Sequence, residues 1–268
     1  VSVFHRGQPV VDLWGGRRRP VPPDGTESPW AEDTMALSFS TTKGVAATAL
    51  HMAIERSGTS YDTPVASLWP EFAAHGKQAV TIRQVMCHEA GIPQIAGLVP
   101  DAATLGDWDH MTALMASLEP LWEPGTANGY HAVNFGWLVG EILRRIDGRP
   151  LSQFLAEEIA GPLDLDGCYI GTPASEHHRV AALVTPDGVD EGERAIASLL
   201  PPDHLLHKVL SPRPAEEMNP WLNSAAALSA SVPSFTGVFT ARSLGRLYAA
   251  LERGGELDGV RLMSAETL

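Results

Sequence analysis

The sequence predicts an α+β fold: a sheet made from both chain ends, with a helical region inserted between them. Three observations predict it. The recognisable strand patterns lie near the N-terminus, the long helical stripes cluster in the middle, and 268 residues that are 44% hydrophobic suffice for a sizeable core. The expected division is an α/β part over residues 1–57 and 235–268 and a helical or inserted region over approximately 60–230, within one unit spanning 1–268.

Val1 to Gly16 reads as a hairpin, with Val1, Val3 and Phe4 before Arg6-Gly7-Gln8 and Val10-Val11-Asp12-Leu13-Trp14 after it. Residues 17–33 read as a Pro-rich polar loop. Ser38 to Arg56 is the clearest helix, because Val45, Ala46, Ala49, Leu50, Ala53 and Ile54 recur at helical spacing and Gly58 follows. Asp62-Thr63-Pro64-Val65 starts a short element that Leu68-Trp69-Pro70 stops. Thr81 caps a helix running to Met86, and Gly91-Ile92-Pro93 closes that segment.

Residues 107–118 are expected to be helical, and Trp122-Glu123-Pro124-Gly125 is a loop signature. Phe135 to Ile146 reads as a helix capped by Asn134 and ended by Gly148, and Ser152 to Ile159 as another, ended by Gly161-Pro162. Residues 171–232 carry Pro at 173, 186, 201, 202, 212, 214 and 220 and read as a long insertion or lid with short helices. Thr240 caps a helix to Arg253, stopped by Gly254-Gly255. Ser264-Ala265-Glu266 looks like the start of one more. The chain begins inside a strand and stops one turn into that helix, so further residues are expected at both ends.

Composition narrows the partners. The formal net charge of −13 repels phosphate backbones and speaks against nucleic acid, Arg17-Arg18-Arg19 being read as a solvated loop. No apolar run approaches the ~18 residues of a membrane helix. Cys87 and Cys168 form neither a disulfide framework nor a CxxC pair. They do not fix the compartment, a cytoplasmic location being slightly favoured. His177-His178 and His204-Leu205-Leu206-His207 lack the spacing and carboxylates of a metal site, so no metal and no cofactor are expected.

The chemistry concentrates in two segments. Ser40-Thr41-Thr42-Lys43 is an S-x-x-K motif at a helix start, and a spacing of three puts both side chains on one face. A serine hydroxyl is a weak nucleophile until a base takes its proton, and a desolvated lysine can be that base. The helix start adds the Ser40 N–H as one oxyanion donor. The second segment is Trp122-Glu123-Pro124-Gly125 through Gly129-Tyr130-His131-Ala132 to Phe135-Gly136. A phenol near an ammonium ionises more easily, so Tyr130 can exchange a proton with Ser40 and a leaving group; a half-buried structural tyrosine is the plainer alternative.

Together these segments resemble the β-lactamase and penicillin-binding-protein superfamily, and more narrowly the class C β-lactamase-related esterases called family VIII carboxylesterases. The resemblance is carried, in order, by His5 to Gly16, Ser40-Thr41-Thr42-Lys43-Gly44, Thr81 to Pro93, Pro124-Gly125 to Gly140-Glu141, and Leu257-Asp258-Gly259-Val260-Arg261-Leu262. It implies a β-lactamase/transpeptidase-like fold with an antiparallel sheet, a mainly helical domain and the site between them. It also implies a serine hydrolase with Ser40 as the acyl-accepting nucleophile and Lys43 and Tyr130 as its activating pair.

Two departures from the family pattern shape the expectation. Class C β-lactamases carry Tyr-x-Asn where this chain reads Tyr130-His131-Ala132, and loss of that amide favours small-molecule esters over β-lactams or peptides. The family's Lys-Thr-Gly, His-Gly-Gly or Trp-Gly-Gly strand is not found after residue 150. Phe39, Trp122 and His131 are the candidate substrate contacts, with His131 read as a packing or rim residue rather than a catalyst. The leading expectation is therefore a carboxylesterase of short acyl esters. The alternatives are a β-lactamase, D,D-peptidase or acyltransferase of the same fold, or a non-catalytic binding member. His88 beside Glu89 does not make a triad, because no G-x-S-x-G elbow is present.

Overall fold

The computed structural model describes residues 1–184, 198–201 and 204–268. The chain opens with an antiparallel hairpin, β1 (Ser2–His5) and β2 (Gln8–Asp12), paired from Ser2 with Asp12 to His5 with Gln8. Residues 13–35 then run without regular strands or helices to β3 (Ala36–Leu37). A single 3₁₀ turn, Phe39–Thr41, leads into α1 (Thr42–Ser57).

The stripe predicted for α1 is buried throughout: Val45, Ala46, Ala49, Leu50, Ala53 and Ile54 all lie in the core, joined by Thr48 and Met52. A helix covered on this many sides packs as a central element rather than a surface one. Gly58 ends it in the left-handed region, as the sequence anticipates. After α2 (Val65–Leu68), α3 (Ile82–Met86) begins at Thr81. The Thr81 hydroxyl accepts from the Gln84 N–H while the Gln84 side chain accepts from the Thr81 N–H. That reciprocal capping box strengthens the cap read from sequence.

α4 (Trp108–Ser117) and α5 (Phe135–Asp147) follow, and α5 supplies Trp137, Leu138, Val139, Ile142 and Leu143 to the same core. Glu141, fully buried on α5, is held by Arg144, Arg145 and the Trp108 indole N–H. Asn134 does not cap α5. It has helical φ/ψ, and its side chain instead donates to the carbonyls of Ile92 (2.7 Å) and Gln94 (2.8 Å), tying the helix start to the 92–94 strap. α6 (Leu151–Leu155) runs into a π turn over Ala156–Ala160.

A strand the sequence does not announce, β4 (Cys168–Ile170), lies on one side of β5 (Gly237–Phe239), with β3 on the other; both pairings are antiparallel. Between them sit α7 (Leu206–Val209), α8 (Ala215–Leu222) and α9 (Ala225–Ser229). The part of the predicted insertion at residues 185–197 and 202–203 lies outside the described residues. α10 (Ala241–Glu252) starts at Thr240, whose hydroxyl accepts from the Ser243 N–H. β6 (Glu256–Leu257) and β7 (Val260–Arg261) form a last hairpin. The helix expected from Ser264 is a single turn, closed by the Ser264 hydroxyl and the Leu268 N–H. Among the described residues, no helix is long and apolar enough to cross a membrane.

Candidate active site

The site is assembled where β3 turns into α1. The Ser38 N–H donates to the Gly237 carbonyl (2.8 Å), extending the β3–β5 ladder by one residue. Phe39 then takes φ +43°, a left-handed conformation uncommon for a bulky residue, and the chain reverses into the 3₁₀ turn that carries Ser40. On the far side of the turn, Thr42 Oγ1 accepts from the Gly237 N–H (3.0 Å). Gly237 thus grips both arms of the bend. A Cβ at this position would stand 2.5 Å from Thr42 Oγ1 and from the Phe239 ring, so only glycine fits without movement.

Ser40 is exposed, with Lys43 one helical turn behind it. Lys43 Nζ lies 3.1 Å from Ser40 Oγ and donates to the carbonyls of Ala132 (2.7 Å) and Ser234 (3.0 Å). The lysine is only 8% exposed, and burial lowers its pKa to about 8. The three oxygens are neutral and stand in for water. Two backbone carbonyls hold two N–H bonds whether the amine is charged or not. The remaining direction, toward Ser40 Oγ, can carry either a proton or a lone pair.

Tyr130 reaches the same oxygen from the opposite side, its OH donating to Ser40 Oγ at 2.7 Å. Its ring is 45% exposed and lies 5.1 Å from Lys43 Nζ. Ser40, Lys43 and Tyr130, three residues singled out from sequence, are therefore brought into direct contact. Phe39 is 44% exposed beside them.

Of the packing and rim roles read for His131, the structure gives packing, and burial takes this residue out of the candidate substrate contacts. It is 1% exposed, and both ring nitrogens face the backbone: Nε2 accepts from the Ile92 N–H (3.1 Å) and Nδ1 faces the Gly129 carbonyl (2.6 Å). That pairing selects the neutral Nδ1–H tautomer, and burial lowers the pKa to about 4. Trp122 is partly buried, donates through Nε1 to the Ala127 carbonyl (3.0 Å) and lies edge-on to His131. Its ring covers Gly129, the residue before Tyr130. Both side chains therefore back the Tyr130 turn from inside.

Ser234 was not visible as a site residue in the sequence, because Val232-Pro233-Ser234 reads only as loop. Its carbonyl accepts a hydrogen bond from Lys43 Nζ, and its fully buried hydroxyl donates to the Val133 carbonyl and accepts from the Gly136 N–H (2.6 Å). A Cβ on Gly136 would meet Ser234 at 2.4 Å, so glycine is what lets this loop close on α5. Among the described residues, no group of three or more His, Cys, Asp and Glu is placed to hold a metal ion.

Known proteins are similar to this chain along nearly its whole length. The esterase/beta-lactamase LipL of Mycobacterium tuberculosis is 34% identical over 99% of this chain and 61% of its own length. A solved family VIII carboxylesterase superposes with a TM-score of 0.82 at 39% identity, covering 99% of this chain and 67% of that one. A penicillin-binding protein homologue from Caulobacter crescentus gives 0.80 at 36% identity with the same coverage. The chain thus spans about three fifths of the LipL relative and about two thirds of each solved structure. The family model described as Beta-lactamase matches residues 1–267, and with these relatives it establishes that the chain, α+β with a β-lactamase/transpeptidase-like fold, belongs to the beta-lactamase family.

Proposed function

We propose that this chain is a serine hydrolase of short acyl esters, acting through a Ser40 acyl-enzyme. The observation that carries the proposal is the convergence of Lys43 Nζ and Tyr130 OH on Ser40 Oγ, at 3.1 and 2.7 Å. Neutral Lys43 takes the hydroxyl proton as Oγ bonds to the acyl carbon. The carbonyl oxygen becomes an oxyanion facing the Ser40 N–H at the helix start. As the ester C–O bond breaks, Tyr130 gives its proton to the leaving alkoxide, and the Lys43 ammonium restores the phenol. A water then repeats the sequence at the acyl carbon and releases the acid.

Ester preference follows from position 132. Alanine offers no side-chain amide to a peptide-like substrate, and its carbonyl is already engaged with Lys43. Phe39, exposed at the bend, is the proposed substrate contact. The esterase names of LipL and of the family VIII carboxylesterase support the class, while the LipL name also keeps a β-lactamase activity in view. The test is fluorophosphonate labelling and p-nitrophenyl butyrate hydrolysis in wild type and Ser40→Ala. Labelling and turnover that vanish in Ser40→Ala are expected. Turnover that survives the substitution would refute the nucleophile, and nitrocefin turnover equal to ester turnover would shift the substrate class to β-lactams.

A further inference from the structure

We propose that His88 is a positioning residue that aims Tyr130 at Ser40 by clamping both chain neighbours of Tyr130; this rests on the proposed role of Tyr130 above. The clamp has two bonds. The His88 carbonyl accepts from the Gly129 N–H (3.0 Å), and His88 Nδ1 accepts from the His131 N–H (3.1 Å). One residue thereby fixes the 128–129 peptide unit, one step before Tyr130, and the peptide unit that follows Tyr130. The ring then fills the space behind the phenol. Its centroid is 5.1 Å from that of Tyr130, in an edge-on arrangement, and 4.9 Å from that of Phe135.

The backbone of His88 is shaped for this task. It sits at φ +61°, directly after α3, a conformation in which a non-glycine residue is strained. That bend turns the carbonyl and the ring toward the same strand of chain. Nδ1 can accept only from a neutral ring with the proton on Nε2. Burial and the nearby Lys43 charge favour the neutral ring, lowering the pKa to about 4. His131 completes the brace from below, through its own bonds to Ile92 and Gly129.

A tyrosine on a loop, 45% exposed, has little packing of its own to hold its hydroxyl 2.7 Å from the nucleophile. A displacement of about 1 Å at a reacting group costs on the order of 100-fold in rate. The clamp is what prevents it.

The test compares His88→Gly with His88→Asn. Glycine accepts the left-handed backbone and keeps the carbonyl bond but lacks the ring. Asparagine tolerates the same backbone and restores an acceptor near Nδ1. For p-nitrophenyl butyrate, His88→Gly should lower kcat by about 100-fold with KM changed by less than about threefold. His88→Asn should recover at least a tenth of the wild-type kcat. Fluorine NMR of the chain carrying 3-fluorotyrosine at its four tyrosines, with Tyr130 assigned through Tyr130→Phe, gives a second readout. The Tyr130 signal should move toward that of the free amino acid in His88→Gly and stay near wild type in His88→Asn.

A kcat within threefold of wild type in His88→Gly, an unmoved Tyr130 signal, or an asparagine variant no better than glycine would overturn the proposal. If His88→Gly does not fold, His88→Ala takes its place under the same criteria. A wild type without Ser40-dependent turnover would remove the esterase reading instead, while the fluorine signal would still decide the clamp.

Discussion

Raising the pH from 6 to 9 should switch the proposed hydrolysis on through Lys43. An ordinary lysine titrates at 10.5, and burial brings Lys43 to about 8. The neutral fraction is then about 1% at pH 6, roughly a tenth at pH 7 and about half at pH 8. Without the shift, the fraction at pH 7 would be ~300-fold smaller, a difference of about 3 kcal/mol. The assay is kcat/KM for p-nitrophenyl butyrate, corrected at each pH with Ser40→Ala. It should climb nearly tenfold per unit below pH 7 and level off near pH 9. Lys43→Arg, which stays charged throughout, should sit at the Ser40→Ala floor. A profile flat between pH 6 and 8, or an arginine variant within tenfold of wild type, would refute Lys43 as the base. The same burial has a thermodynamic side. The unfolded chain holds a proton that the folded site has released between about pH 8 and 10.5, so the Lys43 contribution to stability rises across that window.

Three further outcomes are expected. His131 is held neutral, with a folded pKa of about 4 against an ordinary 6.5, so its contribution is complete above pH 6.5 and is lost as the pH falls toward 4. Urea unfolding should show wild type losing about 2 kcal/mol more than His131→Gln between pH 7 and 4.5, and equal losses would count against a ring held neutral. Gly136→Ala drives a Cβ into Ser234 and should cost about 1–3 kcal/mol by thermal or urea unfolding, together with a slower fluorophosphonate reaction as the Ser234 carbonyl moves off Lys43. Ser234→Ala leaves the Gly136 N–H only its long bond to the Val133 carbonyl (3.4 Å), at a cost of about 1 kcal/mol, yet keeps the Ser234 carbonyl; its kcat should stay within a few-fold of wild type.

The parts of this fold that were legible in the sequence are those decided locally. The first hairpin turns at Arg6-Gly7, where both residues have positive φ, the geometry that a two-residue hairpin turn requires; the last, at Asp258-Gly259, has the same geometry but was not read as a hairpin. The stripe on α1 and the caps at Thr81 and Thr240 are equally local. β4 and β5 were not legible. Each is three residues long, too short for an alternating pattern, and their pairing joins Cys168 to Phe239 across a stretch that includes α7, α8 and α9. Asn134 stood where a cap would stand, but a buried amide can bond more than one kind of partner, and the Ile92 and Gln94 carbonyls took it. Ser40, Lys43 and Tyr130 were legible as residue types in a family order. Their convergence was not, because 90 residues separate Ser40 from Tyr130. The Lys43 bonds to Ala132 and Ser234 go to main-chain oxygens, which leave no mark on the sequence at all.

That anchorage to the main chain has an evolutionary consequence. Every residue type supplies a carbonyl, so the hold on Lys43 does not depend on which side chain occupies position 132 or 234. Position 132 lies two residues after Tyr130, and a change of its side chain leaves its carbonyl in place to hold Lys43. Under the proposed mechanism, side-chain changes at position 132 would then alter what the site accepts while leaving the hold on Lys43 intact.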